Sequence, residues 1–205
     1  MTFQSCRGAK AWREDSAGFS LVELMAYMAI IVAMAAFVLP FTRTTLRALD
    51  LSNDARNLSS ATGQAKMRAA SHFTQSRVFV SLGGGTYHVE RWQKNPAQWV
   101  AEGPVMALSP TTSFGFGGLS TPPPNTQAVI GQATPCLDAL GAAVAGSACI
   151  VFNSRGVPVD STNAPTGGGA LYISNGTSVF GLTATAGGMV QLWRAHLVDG
   201  VWNRY

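Results

Sequence analysis

The chain has 205 residues, of which 47% are hydrophobic and only 12% are charged. This balance excludes a chain that is disordered throughout, because ample apolar surface is available for burial. The formal net charge is +4, and the basic residues are scattered, so the composition indicates no phosphate-binding patch.

An apolar segment covers residues 19–41 and contains one charged residue, Glu23. As an α-helix it would extend about 34 Å, enough to cross a hydrocarbon core of about 30 Å. Three basic residues precede it: Arg7, Lys10 and Arg13. The positive-inside rule therefore predicts a cytoplasmic N-terminus and a C-terminal part on the other side of the membrane.

Three interpretations of this segment compete. It is an ordinary secretory signal cleaved after Ala33-Met34-Ala35, a plain signal anchor, or the signal of a filament subunit. The first two do not explain why a glutamate lies five residues into the apolar segment.

The junction before the apolar segment reads Ser16-Ala17-Gly18-Phe19-Ser20-Leu21-Val22-Glu23-Leu24-Met25. It resembles the class III signal of type IV prepilins and pseudopilins. The resemblance implies that prepilin peptidase cleaves between Gly18 and Phe19 and that Phe19 is then N-methylated. Pro40 lies where family members commonly carry a helix-bending proline.

Glu23 is costly in a membrane, about 2.5–3.5 kcal/mol for an acid at the centre of a helix. After cleavage, Glu23 of one subunit could pair with the Phe19 amine of a neighbour in an apolar bundle. The alternative is that Glu23 merely reaches to the membrane interface.

Beyond Pro40 the pattern becomes amphipathic. Apolar residues recur at helical spacings, namely Leu51, Ala55, Leu58, Ala65 and Ala69. We predict one helix over residues 19–70, bent near Pro40 because proline removes a hydrogen bond. Its second half, in residues 42–72, should pack on a globular domain.

Residues 73–205 read as a β-rich head. Residues 77–82 and 86–92 flank Gly83-Gly84-Gly85 and predict a hairpin. Further predicted strands are residues 98–108, 126–130, 149–153, 170–174, 178–185 and 189–197, with loops at 109–125 and 161–169. The predicted fold class is α+β, a long bent N-terminal helix carrying a mostly antiparallel β head.

The head resembles the GspH/FimT family of minor pseudopilins and minor pilins. The residues that carry this likeness are Cys149-Ile-Val-Phe-Asn-Ser-Arg-Gly156, the strand at Leu171-Tyr-Ile173 and a closing hairpin over residues 179–193.

The chain has three cysteines, and removal of a leader containing Cys6 would leave Cys136 and Cys149. In an oxidising periplasm these two could form a disulfide, and the alternative is two reduced, buried thiols. Their spacing fits no redox or zinc motif.

We predict no catalytic site, cofactor or metal site. His72, His88 and His196 are isolated, and the glycine triplets lack the Lys-Ser/Thr of a P-loop. Four of the five tryptophans are expected to pack in the core or on a sheet face. They are Trp92, Trp99, Trp193 and Trp202.

The sequence thus predicts a minor pilin or pseudopilin whose leader, residues 1–18, is removed. Expected partners are other pilins, prepilin peptidase and an inner-membrane assembly platform. The chain would be single-pass in the bacterial inner membrane, with a periplasmic head, before it joins a filament. Alternatives are DNA uptake or adhesion by the head, with Arg155, Arg194 and Arg204 as first candidates, or a signal-cleaved exported hydrolase.

Overall fold

The computed structural model describes residues 20–205, apart from the side chains of residues 38–41. One helix, α1 (Leu21–Ser71), precedes all the strands, and every pair of neighbouring strands is antiparallel. The predicted α+β class, a long N-terminal helix followed by an antiparallel β head, is confirmed. The chain divides into two units, one ending at Arg43 and one beginning at Thr44.

The head contains two sheets. The first has the order β3-β2-β1-β6-β7, with β4 also paired to β2, and the second has the order β11-β10-β9-β8-β5. The strands are β1 (Ser76–Ser81), β2 (Thr86–Lys94), β3 (Ala97–Ala101), β4 (Met106–Ala107), β5 (Ser113–Phe114), β6 (Ser147–Phe152), β7 (Pro158–Val159), β8 (Gly169–Ser174), β9 (Ser178–Ala184), β10 (Val190–His196) and β11 (Trp202–Arg204).

The predicted apolar face of the second half of α1 is buried. Its residues are each at most 1% exposed, namely Leu51, Ala55, Leu58, Ala61, Ala65 and Ala69. They share one core with the inward-facing residues of both sheets. The expected packing of this helical segment on the globular domain is therefore confirmed, and its small alanines allow strands to approach the helix closely.

Asp54 is a charged residue of α1 that is buried. It is 6% exposed, and its carboxylate accepts hydrogen bonds from the backbone N and the Oγ of Ser109, at 3.0 and 3.1 Å. A buried carboxylate needs such donors. Asp54 therefore fixes the start of the loop that follows β4.

Most predicted strands form within one or two residues of their expected bounds. The strand expected at residues 98–108 is instead two strands, β3 and β4, because the chain turns between them with Gly103 at φ 102°. The loop expected at residues 109–125 contains the short strand β5, and residues 126–130 do not form a strand. In this segment the side chain of Gln127 donates to the carbonyls of Gly131 and Gly168 at 3.1 and 2.8 Å. The segment lies against β8, where Gln127 also accepts from the Tyr172 hydroxyl. Side-chain carboxamides thus replace the backbone ladder that the apolar pattern predicted.

A short final strand, β11, was not predicted. The hydroxyl of Tyr205, the residue after this strand, is hydrogen-bonded to Ser52 and Arg56 of α1.

Four tight turns share one design, at residues 138–142, 153–157, 160–164 and 185–189. In each turn, the backbone N–H of the first residue donates to the carbonyl of the fifth, and the fourth residue has a positive φ. The side chain of the first residue also accepts a hydrogen bond from the backbone N–H of the fifth. The accepting residues are Asp138, Asn153, Asp160 and Thr185. The fourth residue is Gly or Asn, the residue types that adopt this conformation at low cost.

Gly181 lies in the centre of β9, opposite Tyr172 of β8. A Cβ at Gly181 would stand 2.7 Å from Cε1 of the Tyr172 ring, and that ring is fully buried. Glycine is thus required here by the close approach of an aromatic ring.

Gly181→Ala should lower the free energy of unfolding by about 1–3 kcal/mol, because the buried ring must move. Gly63→Ala is the matched control, since no atom lies within 4 Å of its added Cβ. It should raise stability by about 1 kcal/mol through helix propensity. Urea unfolding measures both, and equal effects of the two changes would contradict the argument.

The end of α1 is stabilised by a hydrogen bond from Thr74 N to Ala69 O at 3.2 Å, with Phe73 at φ 50°. This is the left-handed cap position that glycine usually occupies. Phe73 is 77% exposed, so little packing offsets the strain on its backbone.

Phe73→Gly should therefore raise the free energy of unfolding by about 1 kcal/mol. Phe73→Ala keeps a Cβ at the same φ and should give no such gain. The measurement is again urea unfolding, and a destabilised Phe73→Gly variant would show that the ring is needed for the fold.

Candidate functional site

The N-terminal part of α1 is apolar and has no cover in the described residues. All side chains of residues 21–37 are exposed, for example Leu21 at 74% and Phe37 at 82%. By length and composition this helix is sufficient to cross a membrane. Exposed apolar surface is unfavourable in water, and contiguous surface of this kind is typical of membrane or protein contacts.

Glu23 lies in the first turn of this helix. The hydroxyl of Tyr27, one turn later, donates to Glu23 Oε1 at 3.4 Å. The backbone of the turn begins at Ser20, whose carbonyl accepts from Leu24 N at 3.1 Å. The acid therefore stands at the first turn of an apolar helix with one neighbouring hydroxyl.

Two predicted site residues, Gly18 and Phe19, lie outside the described residues. Pro40 lies inside α1, and its role as the place of a helix bend stays a prediction. Cleavage at Gly18, methylation of Phe19 and the assembly role of Glu23 also stay predictions.

Cys136 and Cys149 are joined by a disulfide, with their Cα atoms 5.0 Å apart. Cys149 belongs to β6, while Cys136 begins a loop whose turn is anchored by Asp138. Both cysteines are at most 5% exposed, so the disulfide is shielded from solvent. It ties this loop to the first sheet.

A pocket of about 260 Å³ lies beside the disulfide, with Arg77 in its lining. The guanidinium of Arg77 stands 3.9 Å from the ring centroid of Trp99. Its Nε donates to Glu90 Oε2 at 2.6 Å, and its Nη1 donates to the carbonyl of Leu137 at 2.5 Å. Burial lowers the pKa of Arg77, and the neighbouring Glu90 carboxylate opposes that effect. Arg77 thus holds the disulfide loop by its main chain and is itself neutralised by Glu90.

The three histidines have separate surroundings. His88 Nε2 lies 3.0 Å from Glu90 Oε1, and His196 Nδ1 lies 2.8 Å from Ser178 Oγ. His72 Nε2 is 4.0 Å from Glu102 Oε1. Among residues 20–205, no group of three His, Cys, Asp or Glu side chains is arranged to hold a metal ion.

The four tryptophans in residues 20–205 are half-buried, and each has a neighbour that fixes its ring. Trp92 and Trp99 meet edge to face, with centroids 5.2 Å apart. Trp193 donates to Thr183 Oγ1, and Trp202 donates to the carbonyl of Thr121.

The arginines that were candidates for binding nucleic acid do not form one cluster. Arg194 and Arg204 are on the paired strands β10 and β11, whereas Arg155 is in a turn of the other sheet. Arg194 stands over the ring of Phe180 at 5.8 Å. The described head therefore offers no single basic face built from these three.

The sequence analysis missed an ionic cluster around Glu102. Arg91 Nε donates to Glu102 Oε1 at 2.5 Å, and Arg68 Nε of α1 lies 3.7 Å from Oε2. The signal that could have found it is the strand register, in which Arg91 and Val100 are paired just before Glu102.

No family model matches the sequence, and no match was found among curated proteins. Among solved structures, the chain is similar to the minor pseudopilin EpsH from the Type 2 Secretion System of Vibrio cholerae. The identity is 11% over 70% of this chain and 95% of that chain, with a TM-score of 0.38. Likeness at this level does not establish a function.

Replacing Cys136 and Cys149 together by alanine should lower the free energy of unfolding by about 2–4 kcal/mol, because the unfolded chain regains the freedom of the loop. Urea unfolding with and without dithiothreitol measures this. Reductant should destabilise the unchanged chain and leave the double variant as it was. Equal stability of the two without reductant would contradict the expected contribution.

Proposed function

We propose that the chain is a minor pilin or pseudopilin subunit of a type II secretion or type IV pilus system, and that it enters a filament through its N-terminal helix. The observation that carries this proposal is the coincidence of the Gly18-Phe19 junction, Glu23 and the apolar helix that follows. The exposure of every side chain in residues 21–37 supports it, because such a helix needs neighbours from outside the chain.

In this proposal prepilin peptidase removes residues 1–18 on the cytoplasmic side and Phe19 becomes a methylated N-terminus. Residues 19–41 cross the inner membrane and later form the filament core. Residues 42–72 extend the helix, and residues 73–205 form a periplasmic head. The disulfide between Cys136 and Cys149 suits an oxidising compartment such as the periplasm.

Assembly would occur at an inner-membrane platform by lateral packing of helices from several pilins or pseudopilins. Glu23 supplies the register. Its carboxylate, carrying one hydrogen bond from Tyr27, would meet the Phe19 amine of the adjoining subunit, and both charges would be compensated in the apolar bundle.

Glu23→Ala should leave leader cleavage intact and reduce the amount of subunit in sheared filaments at least about tenfold, because an amine left unpaired in the bundle costs about 3–5 kcal/mol. Glu23→Val should behave the same way. Immunoblots of sheared filaments and of membranes measure assembly and processing separately.

Tyr27→Phe is the matched control, because it removes the neighbouring hydroxyl and keeps the acid. It should assemble within about twofold of the unchanged chain, as a single hydrogen bond contributes about 1 kcal/mol or less. Full incorporation of Glu23→Ala would overturn the proposed role of the charge pair.

Intact mass of the membrane-extracted chain separates this proposal from the exported hydrolase. A pilin-like subunit starts at a methylated Phe19, whereas signal-peptide cleavage after Ala35 leaves a chain that starts at Ala36. A chain that keeps residues 1–18 would contradict both.

A further inference from the structure

An open pocket of about 460 Å³ lies beyond the C-terminal end of α1, between the end of β2 and the turns at residues 153–157 and 160–164. Two aromatic residues, Phe73 and Trp92, are in its lining. This surface belongs to the head and is separate from the apolar helix of the proposed filament function. The inference does not depend on that function.

The side chain of Phe73 is exposed, and its backbone is strained. The residue is 77% exposed and has φ 50°, a conformation that glycine would adopt without strain. No hydrogen bond or ring contact to the Phe73 side chain occurs in the described part of the chain. A large apolar side chain that is exposed on a strained backbone and unused in packing points to a ligand.

Trp92, the second aromatic residue of the lining, is fixed in position. Its ring meets Trp99 edge to face at 5.2 Å. Its backbone N–H bonds to the carbonyl of Gln75 at 2.9 Å, and its carbonyl accepts from Thr74 Oγ1 at 3.0 Å. The pocket therefore has one ring that is held in place, that of Trp92, and one that is exposed to solvent, that of Phe73.

The polar part of the lining includes three carboxamides, from Gln75, Asn153 and Asn163, beside Thr74, Ser154 and Lys94. Gln75 Nε2 donates to Asn163 Oδ1 at 2.5 Å, which leaves Gln75 Oε1 and Asn163 Nδ2 for a ligand. Asn153 Oδ1 accepts two backbone N–H groups, so its Nδ2 is also available. Donors and acceptors thus lie together, a combination that suits hydroxyl groups, which both donate and accept.

Most of the lining is uncharged, and its single cation, Lys94, is exposed at the end of β2. The lining contains no carboxylate. A ligand rich in hydroxyl groups, with an apolar face and no net charge, fits this combination. We propose that this pocket binds a neutral saccharide, with a sugar ring against Phe73 and Trp92 and its hydroxyls on Gln75, Asn153 and Asn163.

The test uses the full chain in a detergent without a sugar headgroup. Saturation-transfer NMR measures binding of free glucose, galactose, mannose, N-acetylglucosamine and N-acetylgalactosamine at millimolar concentration. At least one sugar should give a signal. Phe73→Gly should weaken its binding at least about fivefold, the size of a lost aromatic contact, while the variant is more stable than the unchanged chain. Phe73→Tyr should retain binding.

Asn163→Gly removes one carboxamide at a residue with φ 65° and should also weaken binding at least about fivefold. Asn125→Gly is the matched control, because Asn125 has φ 59° and lies outside this pocket. It should change binding less than about twofold. No signal from any of the five sugars, or equal binding by Phe73→Gly and the unchanged chain, would overturn the proposal. Binding of oligothymidylate but of no sugar would assign the pocket to single-stranded nucleic acid and overturn it as well.

Discussion

Burial of the alanine-rich face of α1 is the interaction on which the head depends. From Leu51 to Ala69 this face shares one core with the inner residues of both sheets. Lys66 adds a polar link at the same helix. Its Nζ donates to the carbonyl of Gly188 in the second sheet, and its methylene groups lie against Gly156 in a turn of the first. Without the helix, each sheet would expose an apolar face.

The same helix has a second segment with the opposite requirement. Residues 21–37 are apolar and exposed, and nothing in the described chain covers them. Helix α1 thus contains one segment whose apolar face is buried in the head and another segment whose apolar side chains are exposed.

The sequence predicted the fold where its periodicity was simple, and failed where side chains replaced backbone pairing. Spacings of three and four placed Ala55 and Ala65 in the core, and glycines placed the hairpins. Asp54 was missed because burial of an acid depends on Ser109, which is distant in sequence. The strand expected at residues 126–130 was wrong because Gln127 bonds through its side chain. Of the candidate sites, Glu23 could be proposed from the sequence because it is the one charge in an apolar segment, and its role stays a prediction. The Phe73 pocket joins four separate segments and has no local signature.

The recurrent turn has an implication for how the surface of the head can change. In each of the four copies the two residues at the tip are exposed, while geometry is set by the first and fourth residues. The tips are Ala139-Leu140, Ser154-Arg155, Ser161-Thr162 and Ala186-Gly187. The two tip residues of each turn can therefore be substituted while the turn keeps its conformation, which gives four places where the surface residues of the head can change without a change in its fold.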